Sequence, residues 1–194
     1  MLKYLIPRIA LADLPPMFGM AFVGAIIAGV YGILHDHVTY SIGPEYFTNL
    51  KFKQFHYADF GLGDRFFVSC IGFLATSWVG FVIAWFLSRR LIPNQTRAVA
   101  YRGILKGFAI VFAVGILAGI AGYLYGFWRG PDADYSAWAI VVNRFQITDI
   151  SAFVHVAYIH NASYLGGLIG FVISLILIRP EKLDSIPGSD ASYF

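Results

Sequence analysis

Apolar residues dominate the chain in four long runs, which cover residues 17–34, 66–87, 104–127 and 150–178. A helix of roughly 20 apolar residues is long enough to cross the hydrocarbon core of a bilayer. Small residues recur every four positions in the second run, and comparable stripes occur in the third and fourth runs. Those of the second run are Gly72, Thr76, Gly80 and Ala84. In lipid such stripes let helix backbones approach closely. The pattern predicts an all-α membrane protein, a bundle of four transmembrane helices.

The connection between the first and second runs, residues 35–65, has a different character. Residues 38–42 and 50–57 are rich in β-branched and aromatic side chains, and Gly43-Pro44 indicates a turn between them. We therefore predict a small β-like outer cap formed by residues 35–65. The first run is expected to be retained as a span, and residues 1–194 are expected to form a single membrane domain.

The composition supports a membrane protein and excludes several other classes. Hydrophobic residues make up 58% of the chain and charged residues only 13%, whereas soluble domains carry about a quarter charged residues. The formal charge of +3 is too small to indicate a nucleic-acid partner. Cys70 is the single cysteine, so neither an intramolecular disulfide nor a cysteine metal site can form.

The distribution of basic residues predicts the orientation of the bundle. Nine Lys and Arg residues fall in the two termini and residues 88–106, and five fall in the other two connections. The more basic side of a membrane protein normally faces the cytoplasm. We therefore expect both termini to lie in the cytoplasm of a bacterial inner membrane. Residues 35–65 and 128–149 would then lie outside.

This topology places all five histidines in the outer half of the protein. Counting back about 20 residues from Ile178 puts His160 near the outer membrane boundary, at the depth expected for His35. On a straight helix, His155 and His160 would point about 140° apart, because each residue turns the helix by about 100°. We therefore expect His35 and His160, rather than His155, to approach each other.

Residues 35–46 contain a dense set of polar groups immediately after the first apolar run. A transition metal is the leading functional hypothesis, because imidazole suits Zn, Cu and Fe and a carboxylate can complete the ligand set. Asp36 would orient a ligand from the second coordination shell. The candidate ligands are His35, His37, Glu45 and His160.

Other interpretations remain open at this stage. Haem could bind between His35 and His160 as axial ligands, or polar groups could form a proton or ion pathway. Residues 35–45 and 160–164 could instead form a hydrogen-bonded clamp that fastens the cap to the bundle. No nucleotide-binding or hydrolase motif is present, so the sequence does not decide whether the protein is an enzyme. The competing function is a non-catalytic structural or assembly subunit, in a homo-oligomer or with other membrane proteins.

Part of the chain resembles a known family. The stretch His35-Asp36-x-Val38-Thr39-Tyr40-x-Ile42-x-Pro44-Glu45-Tyr46-Phe47 is similar to one in an uncharacterised family of small bacterial multi-spanning membrane proteins. Residues 160–167 belong to the same pattern. The resemblance implies a membrane location, but it implies no activity, cofactor or residue role.

Overall fold

The computed structural model describes residues 9–180, and this part of the chain is helical, without a β-strand. Short 3-10 turns lie at Leu11–Asp13, Ile92–Asn94 and Ser136–Trp138. The principal helices are α1 (Leu14–Ile42), α2 (Asp64–Leu91), α3 (Arg97–Arg129), α4 (Ala139–Phe145) and α5 (Ile150–Leu177).

Four of these helices, α1, α2, α3 and α5, are long and apolar enough to cross a membrane. Only 33–39% of the most apolar stretch of each helix is buried inside the protein. The remaining apolar surface is suited to lipid, so the chain is an integral membrane protein. The predicted four-helix architecture is confirmed, although α1, α2 and α3 extend several residues beyond the predicted apolar runs.

Helices α1 and α2 pack against each other through the predicted small-residue stripe. A Cβ atom added to Gly80 would lie 2.2 Å from the carbonyl oxygen of Gly24, and one added to Gly72 would lie 2.4 Å from that of Gly32. The hydroxyl of Thr76, between these glycines, donates to the carbonyl of Ala28 at 2.7 Å. Glycine is required at these positions because any side chain would push the two backbones apart.

Helices α3 and α5 form a second pair of the same kind. A Cβ atom at Gly122 would lie 2.6 Å from the carbonyl oxygen of Tyr158, and one at Gly166 would lie 2.5 Å from the Cβ of Ala118. Most helix–helix contacts of the bundle lie within these two pairs, and far fewer join α1 to α5 or α2 to α3. The fold therefore consists of two tightly packed helix pairs joined along a thinner seam.

Separate apolar clusters close the seam at its two ends. One end carries the start of α1, the end of α2 and the start of α3, and it is called the inner end here because the sequence predicts that it faces the cytoplasm. Met17, Leu87 and Ile104 are fully buried together there. The ion pair between Asp13 and Arg97, at 2.9 Å, links the starts of α1 and α3 there. At the outer end, the cap packs against α2 and α5.

The predicted β-like cap is wrong. Helix α1 continues to Ile42, and the chain then forms a π-helix at Tyr46–Lys51, one α-helical turn at Phe52–Gln54 and a 3-10 turn at His56–Ala58. Two hydroxyls add a second hydrogen bond to carbonyl groups in the last turns of α1: Thr39 donates to the carbonyl of His35 at 3.1 Å, and Ser41 to that of His37 at 3.0 Å.

Tertiary packing overrides the β propensity of the cap sequence. In this segment the ring of Phe52 packs on that of Phe67, with centroids 4.5 Å apart, while Lys53 is exposed. The amide of Asn49 donates to the carbonyls of Phe145 and Gln146, both at 3.2 Å, and ties the π-helix to the end of α4. A local sequence pattern does not reveal these long-range contacts.

Candidate metal centre

The polar groups of α1 face α5 across the seam between the two helix pairs. His35, Asp36 and Thr39 lie on one side of α1, within its last two turns before the helix ends at Ile42. Facing them, α5 presents His160 and Ser163, which are one turn apart. Asp36, Thr39 and His160 are buried, with only 5%, 1% and 1% of their surface exposed.

Three potential ligand residues meet at this point. The Nδ1 atom of His35 lies 3.3 Å from Oδ1 of Asp36, and Nε2 of His160 lies 3.9 Å from the same oxygen. One ligand atom from each residue can be chosen so that all three lie within 4.8 Å of one another. The two imidazole rings are nearly perpendicular, with centroids 4.7 Å apart. His35, Asp36 and His160 could therefore hold a metal ion.

The hydrogen bonds around the two rings define their tautomers. The hydroxyl of Thr39 donates to backbone carbonyls of α1, so it accepts from Nε2–H of His160 at 3.2 Å. Nδ1 of His160 then accepts from the hydroxyl of Tyr164 at 3.2 Å. Similarly, Nδ1–H of His35 donates to Asp36, and Nε2 accepts from the hydroxyl of Ser163 at 3.3 Å. Both protonated nitrogens are the ones nearest the Asp36 carboxylate.

Aromatic rings from the π-helix cover the outer side of this group. The ring of Tyr46 stacks on that of His160 with centroids 4.9 Å apart and planes 23° apart, and Phe47 contacts the same imidazole edge-on. Tyr46 is 8% exposed and Phe47 is fully buried. Burial raises the pKa of the Tyr46 phenol above its usual range, so this ring stays neutral. π-Helical segments occur frequently at functional sites.

A cation lies over this aromatic cover. The ammonium of Lys51 lies 5.7 Å from the ring centroid of Tyr46 and 5.9 Å from that of Phe55. Burial lowers the pKa of Lys51, while the negative charge of Asp36 acts in the opposite direction. The buried carboxylate therefore has one direct hydrogen-bond partner, His35, and one more distant positive charge, Lys51. Buried carboxylates normally need closer compensation.

The structure does not bring the predicted ligand His37 to this group. Its side chain points toward α2, where Nε2 and the hydroxyl of Ser69 are 2.8 Å apart. Arg65 of α2 donates to the carbonyl of His37 at 3.3 Å and to the hydroxyl of Ser41 at 3.2 Å. His37 therefore belongs to a polar contact within the first helix pair.

Glu45, also a predicted ligand, anchors a different part of the outer surface. Its carboxylate accepts from the backbone N–H of Thr148 at 2.8 Å, from that of Asp149 at 3.0 Å, and from the hydroxyl of Thr148. These bonds, led by the one from the Thr148 hydroxyl, lower the pKa of Glu45. Asp149 in turn caps α5 by accepting from the N–H of Ala152 at 2.9 Å.

The remaining histidines lie elsewhere. His155 donates through Nε2 to the carbonyl of Tyr123 on α3 at 2.8 Å, so it packs within the second helix pair and points away from His160. His56 is exposed in the cap, and its ring lies beside the carbonyl of Lys53. Of the four predicted metal ligands, the structure therefore brings His35 and His160 together.

Sequence reasoning assigned Asp36 only an orienting role, although its carboxylate lies between the two imidazoles. The sequence spacing indicates that Ser163 and Tyr164 lie beside His160, because they fall three and four residues after it on the same helix. No comparable signal identified Tyr46 and Thr39 as neighbours of His160, because that contact depends on how the cap folds back.

The group is chemically suited to a borderline transition metal. Two imidazoles and one carboxylate are ligands for Zn²⁺ and for non-haem Fe(II), and such three-residue sets leave coordination positions open. Comparison of the chain with protein-family models, with curated proteins and with solved structures found no match. The interpretation of this site therefore rests on its own geometry.

Proposed function

We propose that this integral membrane protein binds a transition-metal ion between His35, Asp36 and His160, near the outer boundary of the bilayer. The observation that carries the proposal is the meeting of two imidazoles and a buried carboxylate from different helix pairs. Ionisable residues in membrane helices are costly, and they commonly serve a function.

Two of the three ligand–ligand distances lie close to those of a tetrahedral metal site. Two ligand atoms that each lie about 2.1 Å from a tetrahedral ion are about 3.4 Å apart. The separation between His35 and Asp36 is 3.3 Å, and that between His160 and Asp36 is 3.9 Å. A change of about half an ångström at His160 would bring its nitrogen to the tetrahedral distance from Asp36. The ligand atoms of the three residues lie within 4.8 Å of one another, so the widest separation would have to shorten by up to about 1.4 Å as the side chains close on an ion.

Hydrogen-bond partners are already in place for the metal-bound tautomers. A metal would replace the protons on Nδ1 of His35 and Nε2 of His160, and the other nitrogen of each ring would then carry the proton. Those nitrogens face the hydroxyls of Ser163 and Tyr164, at 3.3 and 3.2 Å. A hydroxyl can turn from donor to acceptor, so both rings would keep a partner. Such partners orient metal-bound histidines in known sites.

Electrostatics support the same assignment. The Asp36 carboxylate is only 5% exposed, and no Lys or Arg of the described residues forms an ion pair with it. A cation between the three residues would compensate the buried charge directly. Zn, Fe and Cu are all compatible with this nitrogen and oxygen donor set. A set of three protein ligands would leave a coordination position open, as in catalytic rather than closed structural sites.

One observation favours a second candidate function. Every ring nitrogen of His35 and His160 already has a hydrogen-bond partner within 3.3 Å. The group could thus act without a metal, as a clamp that joins the two helix pairs. The protein would then be a structural or assembly subunit whose function lies in contacts with other membrane proteins or with further copies of itself.

Elemental analysis of the purified protein distinguishes the two functions. The parent protein and the variants His35→Ala, Asp36→Asn and His160→Ala would be loaded with metal, freed of excess and assayed for metal per chain. We expect one ion per parent chain and a large loss in each variant, because affinity depends on ligand number and geometry. Ser163→Ala and Tyr164→Phe should weaken binding about 10–100-fold through loss of the second-shell partners.

His37→Ala is the matched control. It removes an imidazole from the same helix, but from the side that faces Ser69, and it should retain the parent's metal content. Metal content equal in the parent and in Asp36→Asn would contradict the metal proposal. A metal-free parent whose melting temperature falls in the His35, Asp36 and His160 variants would support the clamp.

The proposed location follows from the basic residues and the site together. The cap and the metal centre would face the outside of a bacterial inner membrane, with both termini in the cytoplasm. The excess of Lys and Arg at the other end of the bundle supports this orientation.

A further inference from the structure

A basic cavity lies at the inner end of the bundle, opposite the metal centre. Its volume is about 390 Å³, and it is formed where the end of α2, the first turns of α3 and the end of α5 meet. Leu91, Val99 and Leu177 contribute apolar walls, while Arg102 and Lys106 contribute positive charge from one face of α3. Cavities of roughly 300–1,000 Å³ commonly hold small ligands.

The positive charges at and near this cavity come from three elements. Arg102 and Lys106 are four residues apart on α3, and Arg179 follows the end of α5. A fourth cation, Arg90, lies nearby and donates to the carbonyl of Leu175 in the last turn of α5. The positive charges of Arg90 and Arg179 repel each other. Like charges held together in this way favour an anion between them.

The described residues offer no carboxylate to neutralise this cavity. Seven of the eight Asp and Glu residues between positions 9 and 180 lie at the outer end. The eighth, Asp13, pairs with Arg97 at 2.9 Å. Ion pairs within the described part of the chain involve only Asp13 and Asp36, so Arg102, Lys106 and Arg179 have no acidic partner there.

We propose that this cavity binds the phosphate-bearing headgroup of an anionic phospholipid from the inner leaflet. The combination of three cations with an apolar wall fits a ligand that joins a phosphodiester to acyl chains. Basic pockets between membrane helices on the cytoplasmic side bind such headgroups. Inorganic phosphate shares the charge but lacks the acyl chains, so Leu91, Val99 and Leu177 favour the lipid.

Gly103 provides a way to close the cavity without changing its charge. A Cβ atom at Gly103 would lie 3.0 Å from Cδ1 of Leu91, at the end of a flexible side chain, and 3.5 Å from Cγ2 of Ile178, an ordinary van der Waals distance. Gly103→Leu should therefore fold and fill part of the space. Gly19→Leu is its steric control, because nothing lies within 4 Å of a Cβ atom at Gly19.

The experiment is a titration of the detergent-solubilised full chain with phosphatidylglycerol, with retained lipid detected by native mass spectrometry. Phosphatidylcholine and inorganic phosphate form separate arms. The charge variant is Arg102→Gln/Lys106→Gln, and its matched control is Lys53→Gln/Arg144→Gln, which removes two exposed cations from the outer end. Each Lys or Arg near a membrane contributes about 1 kcal/mol to anionic lipid binding, so the charge variant should bind phosphatidylglycerol about 30-fold more weakly.

We expect Gly103→Leu to lose binding as well, while the outer-end control and Gly19→Leu match the parent. Glu181→Gln, which removes an acidic residue outside the described part of the chain, should bind at least as tightly as the parent. Three results would overturn the proposal. The first is that Arg102→Gln/Lys106→Gln and its control Lys53→Gln/Arg144→Gln bind phosphatidylglycerol with equal affinity. The others are that the parent binds phosphatidylcholine as tightly as phosphatidylglycerol, or that millimolar inorganic phosphate displaces the lipid. None of them bears on the metal centre, because the two sites lie at opposite ends of the bundle.

Discussion

Gly72→Ala tests the packing of the first helix pair with a single methyl group. The new Cβ atom would lie 2.4 Å from the carbonyl oxygen of Gly32, 2.7 Å from its carbonyl carbon and 2.9 Å from the backbone nitrogen of Ile33. All three atoms belong to the backbone of α1, so no side-chain rotation can relieve the clash. Overpacking of this kind costs about 1–3 kcal/mol.

Gly19→Ala provides the matched comparison on α1, since no atom lies within 4 Å of the added methyl group. Alanine is a better helix former than glycine by about 1 kcal/mol, so this variant should be as stable as the parent or slightly more stable. The free energy of unfolding would be measured by titration with sodium dodecyl sulfate in mixed micelles. Equal stability of Gly72→Ala and Gly19→Ala would show that the α1–α2 backbones are not in the close contact described here.

Two further predictions concern the outer surface. Hydrogen bonds lower the pKa of Glu45, so its stabilisation of the Thr148 segment is fully present above the unfolded value of about 4.3 and is lost as the pH falls through the lower folded value. The protection factor of the Thr148 amide, which corrects for the pH dependence of intrinsic hydrogen exchange, should therefore fall in acid, and Glu45→Gln should show no such acid-dependent fall. In a Cys70→Ser background, Asn49→Cys should react with an impermeant thiol reagent in intact cells, whereas Gln95→Cys should not. Labelling of Gln95→Cys alone would show that the bundle has the opposite orientation.

The sequence predicts the helical framework because lipid simplifies the relation between pattern and structure. A span must satisfy its own backbone hydrogen bonds, so a long apolar run can only be a helix here. The stripe around Gly72 and Gly80 also identifies a contact face, since close approach needs small residues at helical spacing. The pattern does not identify the helix against which each contact face packs. The pairing of α1 with α2, and of α3 with α5, depends on the three-dimensional fit of the glycines.

The cap and the site are less predictable for a common reason, which is that their structure depends on long-range contacts. Val38 and its neighbours have β propensity, yet α1 continues to Ile42, and Thr39 is buried where it contacts His160 of α5. The depth of His35 and His160 follows from counting residues along each span. The roles of Asp36 and Tyr46 do not, because each is set by a neighbour far away in the chain.

The most direct test of the proposed metal centre is X-ray absorption at the edge of the metal bound to the purified protein. The structure predicts a first shell of nitrogen and oxygen at roughly 2.0–2.2 Å, with the multiple-scattering signature of two imidazoles. Asp36→Asn, if it retains any metal, should show a changed shell, while His37→Ala should give the parent spectrum. A shell without histidine scattering, or one that changes in His37→Ala but not in Asp36→Asn, would contradict the assignment of His35, Asp36 and His160 as the metal ligands.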